Sequence, residues 1–285
     1  MDFLQPTSLS EALALKSEGP TAVPLAGGTD LMVELNFDRR RPDAILDLTR
    51  VRELQEWDRA NGTVRLGAGV TYTRIVAELA RDLPGLALAS RTVGSPQIRN
   101  RGTVGGNLGT SSPAGDALPP LMASGARVIV ASRRAERSLE LGEFLTGPKT
   151  NALAPDELIV AIEVPRARGP QQFSKIGTRN AMVIAVAAFA LALDAERRTV
   201  GTAIGSAGPV VLRAPEAEEL AAAELPWGDG GPLPETVCAR FGALVAAAAR
   251  PIDDVRGTAA YRRHALGVMA RRTLVWAWDE HMAGS

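Results

Sequence analysis

Cysteine occurs once in the 285 residues, at Cys238, so the chain can form no internal disulfide, no cysteine-rich zinc site and no all-cysteine iron–sulfur cluster. A reducing, cytoplasmic setting is the expectation. Histidine is almost as scarce: His264 and His281 both fall near the C-terminus in polar helical sequence, are expected on the surface, and leave clustered-imidazole metal chemistry without ligands. No metal site is expected. Neither sign of charge is in surplus, since 32 basic residues meet 32 acidic ones, which argues against a nucleic-acid groove or a basic membrane-surface stripe. Long apolar runs are missing too. The longest, residues 181–193, spans 13 residues, whereas a bilayer crossing takes roughly 20. The opening MDFLQPTSLSEAL lacks the basic-then-apolar pattern of a secretory signal. Only three lysines, Lys16, Lys149 and Lys175, stand among many arginines, which makes each worth following. What is present is ordinary globular material, 46% hydrophobic and 22% charged, long enough for two or three packed units.

The pattern along the chain predicts an α+β protein. Residues 7–16 read as a helix capped by Thr7 or Ser8, 22–25 as a short buried strand, and 44–48 as a second strand. With the helical turn from Leu31 between the strands, this makes a small parallel βαβ unit. From about Val51 the pattern changes. A strand at 64–66, helices at 71–81 (capped by Thr71), 86–91 and 118–124, and strands at 126–131, 137–141 and 157–164 predict an antiparallel sheet with a hairpin turn at 132–136. Residues 165–172, with two prolines and a glycine, mark a boundary. Beyond it, strands at 173–176, 183–193 and 200–206 form a meander through a tight turn at 195–198, followed by helices at 214–224, 234–249 and 258–280. The glycine-punctuated loop 227–232 is expected to be mobile. The expected division is 1–52, 53–168 and 169–285.

Two glycine-rich strings carry the chemistry. The first is Pro24-Leu25-Ala26-Gly27-Gly28-Thr29-Asp30-Leu31. Glycine lets backbone approach a ligand that a Cβ would exclude, and a helix start leaves unpaired N–H groups able to hold a phosphate; a plain Gly-Gly turn is the alternative. It is no Rossmann fingerprint, and the nearest such string, residues 67–72, lacks the third glycine. The second runs from Gly102 to Asp116 and holds five glycines, five Ser, Thr or Asn side chains and a terminal carboxylate in 15 residues. The amides of Gly105, Gly106 and Asn107 and the hydroxyls of Thr103 and Ser112 would line a second anion cradle, with Asp116 able to accept from a ligand hydroxyl. Two cradles suggest two linked phosphates, hence a dinucleotide.

These strings, AGGTDL at 26–31 and TVGGNLGTSSPAGD at 103–116, resemble the two FAD loops of the flavoprotein subunit in the xanthine dehydrogenase and carbon monoxide dehydrogenase family. The resemblance extends to DELIVAIEVP at 156–165, FSKIGTRNAMVIAVAAFALALD at 173–194 and DDVRGTAAYRRHALGVMARR at 253–272. It implies a PCMH, vanillyl-alcohol-oxidase-type FAD-binding fold of two subdomains, followed by a C-terminal three-stranded antiparallel sheet with helices. It also implies that Pro24, Leu25, Ala26, Gly27, Gly28, Thr29, Asp30 and Leu31, together with Gly102, Thr103, Val104, Gly105, Gly106, Asn107 and Ser112, hold the cofactor. Asp116 corresponds to the acid that contacts it, Leu158 or Ile159 would pack near its rings, and Lys175 would place a cation by the isoalloxazine, unless it is a strand lysine facing solvent. Neither loop holds His or Cys, so the FAD is expected to be non-covalent.

The implied role is electron transfer, with molybdopterin on a large partner subunit and [2Fe–2S] clusters on a small one, in an (αβγ)2 assembly. Electrons from the clusters would leave through FAD to NAD+ or another acceptor, without a catalytic side chain on this chain. The resemblance favours purines such as xanthine as substrate of the complete enzyme and leaves carbon monoxide, aldehydes and N-heterocycles open, because their recognition resides on another chain. The alternative is a stand-alone FAD-dependent oxidase or reductase. Arg39 to Arg41 and the pairs Arg262-Arg263 and Arg271-Arg272 would face either an acidic partner or solvent.

Overall fold

A computed structural model of the chain describes residues 1–228 and 231–284. The first sheet is parallel, in the order β1 (Asp2–Leu4), β3 (Ala44–Asp47), β2 (Val23–Leu25), with α1 (Leu9–Glu18) and α2 (Leu31–Asn36) as the connections. The expected βαβ unit is therefore present with a third strand, β1, that three residues at an edge gave no periodicity to reveal. Ser8 caps α1, its hydroxyl accepting from the Glu11 amide at 3.2 Å. Lys16, buried near the end of α1, donates to the carbonyls of Pro20 and Ala22, both at 2.7 Å. That staple sets the turn entering β2. Burial, with Arg40 adding to it, holds the Lys16 ammonium below its ordinary range.

The second sheet is antiparallel, in the order β4 (Trp57–Ala60), β5 (Thr63–Gly67), β10 (Leu158–Pro165), β6 (Arg127–Ala131), β7 (Glu136–Glu140). Between β5 and β6 lie α3 (Tyr72–Glu78), α4 (Pro84–Thr92), α5 (Pro96–Arg101), α6 (Val104–Thr110) and α7 (Leu118–Ala123). After β7 come α8 (Leu141–Phe144) and the small hairpin β8 (Leu145–Gly147) and β9 (Thr150–Asn151). Both faces of this sheet are covered. Val128 and Val130 point into a core shared with Ile75, Leu86, Leu108 and Leu121, while their neighbours Ile129 and Ala131 point into a second core with Leu46, Leu48 and Val51. Leu46 is fully buried, so Leu46→Ala is expected to cost about 2–5 kcal/mol.

The third sheet, β11 (Gln171–Ile176), β12 (Ala187–Asp194) and β13 (Thr199–Gly205), is the expected meander. It lies close against α7: a Cβ added at Gly201 would stand 2.1 Å from the Ala123 carbonyl oxygen. Helices α9 (Pro215–Glu224), α10 (Glu235–Ala248) and α11 (Ala259–Ala283) cover its other face around Phe189, Phe241 and Trp278. β12 begins later than the apolar run suggested, because Met182 takes a left-handed φ of 50° and both Met182 and Ile184 are exposed. Part of the loop 227–232 that is expected to be mobile, residues 229 and 230, lies outside the described residues.

Two further expectations change. Arg262 faces neither a partner nor solvent: it is buried, donating to the carbonyls of Val186 and Ser206 and pairing with Asp254. His264 is exposed as expected, but His281 is only partly so and meets the Trp278 ring edge-on. Among the described residues, no helix is long and apolar enough to cross a membrane, and no group of three or more His, Cys, Asp or Glu side chains is placed to hold a metal ion.

Candidate functional site

The carboxyl end of β2 runs directly into residues 26–30, and this loop sits against the end of α5. The contact is as close as backbone allows. A Cβ on Gly27 would fall 2.0 Å from the Arg101 carbonyl oxygen, so only glycine fits there. Gly28 follows with φ +77°, the left-handed region that costs an L side chain about 1–2 kcal/mol. Thr110, at the end of α6, donates its hydroxyl to Asp30 at 2.8 Å. The two glycine strings are thus one structure, pinned at both ends.

Their backbones behave differently. Among the described residues, the amides of Gly27, Gly28, Thr29 and Asp30 donate to nothing within the chain. The amides expected to form the second cradle are already engaged: Gly105 donates to Ala68 O at 3.0 Å, Gly106 to the Thr103 hydroxyl at 3.0 Å and Asn107 to Thr103 O at 3.1 Å. Residues 104–110 are a short helix capped by Thr103. Gly105 serves close packing, since a Cβ there would stand 2.5 Å from Ala68 O. Thr71, expected to cap α3, makes no side-chain cap bond; its backbone instead bridges to Thr103.

Between the strings opens a cavity of about 580 Å³. Pro24, Leu25, Ala26, Gly27, Gly28, Thr29, Asp30 and Leu31 all line it, as do Gly102, Thr103, Gly105, Gly106, Asn107, Leu158 and Ile159. Val104, Ser112, Asp116 and Lys175 do not. Val104 is fully buried in the core, and the Ser112 hydroxyl accepts from the Ala114 amide at 3.3 Å. Lys175 and Asp116 form an ion pair at 2.6 Å with both side chains less than a tenth exposed, and Lys175 also donates to Thr92 O at 3.3 Å. Burial pushes the Asp116 carboxyl above its ordinary range, with the Lys175 ammonium and the Thr92 hydroxyl drawing it partly back. The reading of Lys175 as a solvent-facing strand lysine does not hold.

Sequence reasoning missed Ala68, Gly69 and Tyr72 on the cavity wall. The string 67–72 fails as a Rossmann fingerprint, yet it faces the site because the second glycine string hydrogen-bonds along it. Its glycines were the available signal. Arg101, Lys149 and Glu157 were missed as well.

The wall suits a ligand with both anionic and hydrogen-bonding groups. The hydroxyl of Tyr72 and Oδ1 of Asn107 are buried without a partner among the described residues. Burial, then the nearby Asp116 and Asp30, hold the Tyr72 hydroxyl well above its usual pKa, so it remains a donor. The free amides of the first loop accept negative charge without a salt bridge, and Leu25, Leu158 and Ile159 supply apolar surface. Neither histidine nor Cys238 lines the cavity. The residues present therefore fit FAD: a cradle that a Cβ would fill, unpaired donors and an apolar wall.

Comparison with known proteins agrees. Residues 1–167 match the FAD binding domain in molybdopterin dehydrogenase, and residues 172–277 match the CO dehydrogenase flavoprotein C-terminal domain. The nicotine 6-hydroxylase medium subunit of Paenarthrobacter nicotinovorans is 30% identical over 279 residues, covering 96% of each chain. The nicotinate dehydrogenase FAD-subunit of Eubacterium barkeri is 34% identical over 232 residues, covering 77% of this chain and 78% of that one. A solved structure of carbon monoxide dehydrogenase from Hydrogenophaga pseudoflava superposes with a TM-score of 0.90 at 27% identity, covering 99% of this chain and 98% of that one.

Proposed function

The chain belongs to the flavoprotein family of the molybdenum hydroxylases, as the FAD-binding subunit of a multi-subunit oxidoreductase, and from that premise we propose that it is the electron outlet of its complex. It takes electrons from [2Fe–2S] clusters on a small partner subunit, in an (αβγ)2 assembly whose large subunit holds molybdopterin, and delivers them to NAD+ or another acceptor. The observation that carries this reading is the first loop, with four unpaired amides beside a carbonyl contact that only Gly27 permits.

FAD, when bound, supplies the exchange between one-electron and two-electron transfer. The protein's own residues do the holding. The amides of residues 27–30 take the anionic part, Asp30 is held in place by Thr110, and Tyr72 and Asn107 offer their unpaired groups to the ligand or to a water beside it. Leu25, Leu158 and Ile159 keep water from the wall they form. Val104, Ser112, Asp116 and Lys175 shape the second string from behind. No side chain is needed as a general base, in keeping with a wall that has no imidazole. The chain divides functionally at 1–52, 53–168 and 169–285. Its single, buried cysteine suits a reducing, cytoplasmic setting. Relatives of similar identity are named for N-heterocycles and for an aldehyde, so purines such as xanthine stand as one proposed substrate class of the complete enzyme beside other N-heterocycles, aldehydes and carbon monoxide.

The test is to purify the chain with FAD and supply NADH with an artificial electron acceptor. Dye reduction without turnover of xanthine, nicotinate or aldehydes is expected. Oxidation of an organic substrate by the isolated chain would instead establish a stand-alone oxidase. Trichloroacetic acid should leave the yellow colour in the supernatant, because neither His nor Cys lines the cavity.

A further inference from the structure

The helical layer over the third sheet contains a second cavity, which shares no residue with the first. It arises from how α10 and α11 meet. A Cβ on Gly242 would stand 2.5 Å from the Gly267 carbonyl oxygen, so the two backbones cross in direct contact. Beside the crossing α10 presents only Gly and Ala, and a cleft of about 560 Å³ remains between the helices. Its rim on α11 carries Arg263, His264, Arg271 and Arg272, and no acidic residue lines it. Of the three arginines, only Arg271 has a carboxylate partner among the described residues, Glu235 at 2.6 Å. Arg263 and Arg272 have no carboxylate partner among the described residues, in a protein whose total charge is balanced.

The exposed part of α11 continues this surface. Tyr261 is 48% exposed and Val268 37%, and the two, seven residues apart, lie on one line of the helix. Tyrosine and arginine around a small apolar centre are among the residue types that carry most binding energy at protein interfaces. A nucleic acid or a free anion would use the arginines and leave the apolar floor uncovered. A chain that presents carboxylates to the rim and small apolar side chains to the floor uses both, and a helix matches a groove formed between two helices.

We propose that this cleft receives an acidic amphipathic helix of a partner chain, whose carboxylates pair with Arg263 and Arg272 and whose apolar face covers Gly242, Ala243 and Val268. The proposal stands apart from the flavin reading, because it uses neither glycine string.

The probe is a fluorescein-labelled helical peptide of glutamate, alanine and leucine, titrated by anisotropy against the full chain loaded with FAD. A lysine-for-glutamate peptide and a short DNA duplex serve as comparisons, each at low and at physiological salt. The acidic peptide should bind, more weakly as salt rises, and the lysine peptide should not. Two variants separate charge from shape: R263E with R272E reverses the rim, and Ala243→Leu, at an exposed position, fills the floor. Each is expected to weaken the acidic peptide about tenfold or more, with the flavin spectrum and melting temperature unchanged. Binding indifferent to both variants would overturn the proposal. So would DNA binding as strong as the peptide's and insensitive to Ala243→Leu, which marks a general polyanion patch. Self-association of the chain that R263E with R272E abolishes would assign the cleft to a second copy instead.

Discussion

The two glycine strings look interchangeable on paper, and the folded chain uses them in opposite ways. Residues 26–30 form an open turn in which the amides of 27–30 find no acceptor among the described residues, and Gly27, lacking a side chain, touches Arg101. Residues 104–110 form a closed, capped helix whose amides are occupied and whose Gly105 lets it press on Ala68. The first string keeps its amides open to the cavity, while the second lines the same cavity with its own amides engaged. Glycine content alone does not distinguish a ligand cradle from a packing surface; where the N–H groups go does.

The comparison breaks most sharply at Gly27. Gly27→Ala places a methyl group 2.0 Å from a backbone oxygen that cannot rotate away, so the strings must separate. The variant should lose FAD affinity about a thousandfold, roughly 4 kcal/mol, and emerge colourless from purification, as fluorescence titration with FAD would measure. In Gly109→Ala the new methyl group meets only Ile159 Cδ1, at 3.9 Å, so its affinity should stay within about twofold of the wild type. Equal losses in both variants would mean that the strings do not differ as described.

Much of this architecture was legible in the residues. The three sheets apart from their edge strands β1 and β4, a cap at Thr7 or Ser8, and both strings follow from periodicity and turn chemistry. What escaped were features set by contacts distant in sequence. A helix over residues 104–110 runs against the low helix propensity of its glycines, and it forms because Thr103 caps it and Ala68, brought alongside by the second sheet, holds Gly105. Arg262 reads like its exposed neighbour Arg263, but the carbonyls of Val186 and Ser206 that bury it lie at the ends of β12 and β13, distant in sequence. Tyr72 carries no motif and enters the cavity wall because its amide donates to Gly102 O.

The far end of the second string offers a smaller effect. Asp116→Asn leaves the Lys175 ammonium buried without a counter-charge, which should cost about 3 kcal/mol in chemical denaturation of the apoprotein. Replacing the pair together, Asp116→Leu with Lys175→Met, should recover most of that loss. The pH dependence has a definite sign. Burial holds the Asp116 carboxyl above its ordinary value of about 4. As pH rises, the unfolded chain releases this proton first, so between the ordinary and the raised value the folded state binds more protons and this group's contribution makes stability fall with rising pH. The wild type should show that component in stability measured against pH, and Asp116→Asn should lack it.

The smallest effect tests whether positioning by the second string reaches the first. Thr110 contributes one hydroxyl, donated to Asp30 at 2.8 Å on an exposed part of the loop. Thr110→Val keeps the shape and removes the bond. A hydrogen bond to a charged group in partial contact with water is worth about 1 kcal/mol, so FAD affinity should fall about fivefold if Asp30 must be held for the amides of residues 27–30 to face the ligand. The apoprotein's melting temperature separates the two origins of that loss. A merely structural bond would lower the melting temperature and leave FAD affinity alone. A positioning bond would weaken FAD binding with the melting temperature nearly constant, because the loop it orders is already fixed at its other end by Gly27 against Arg101.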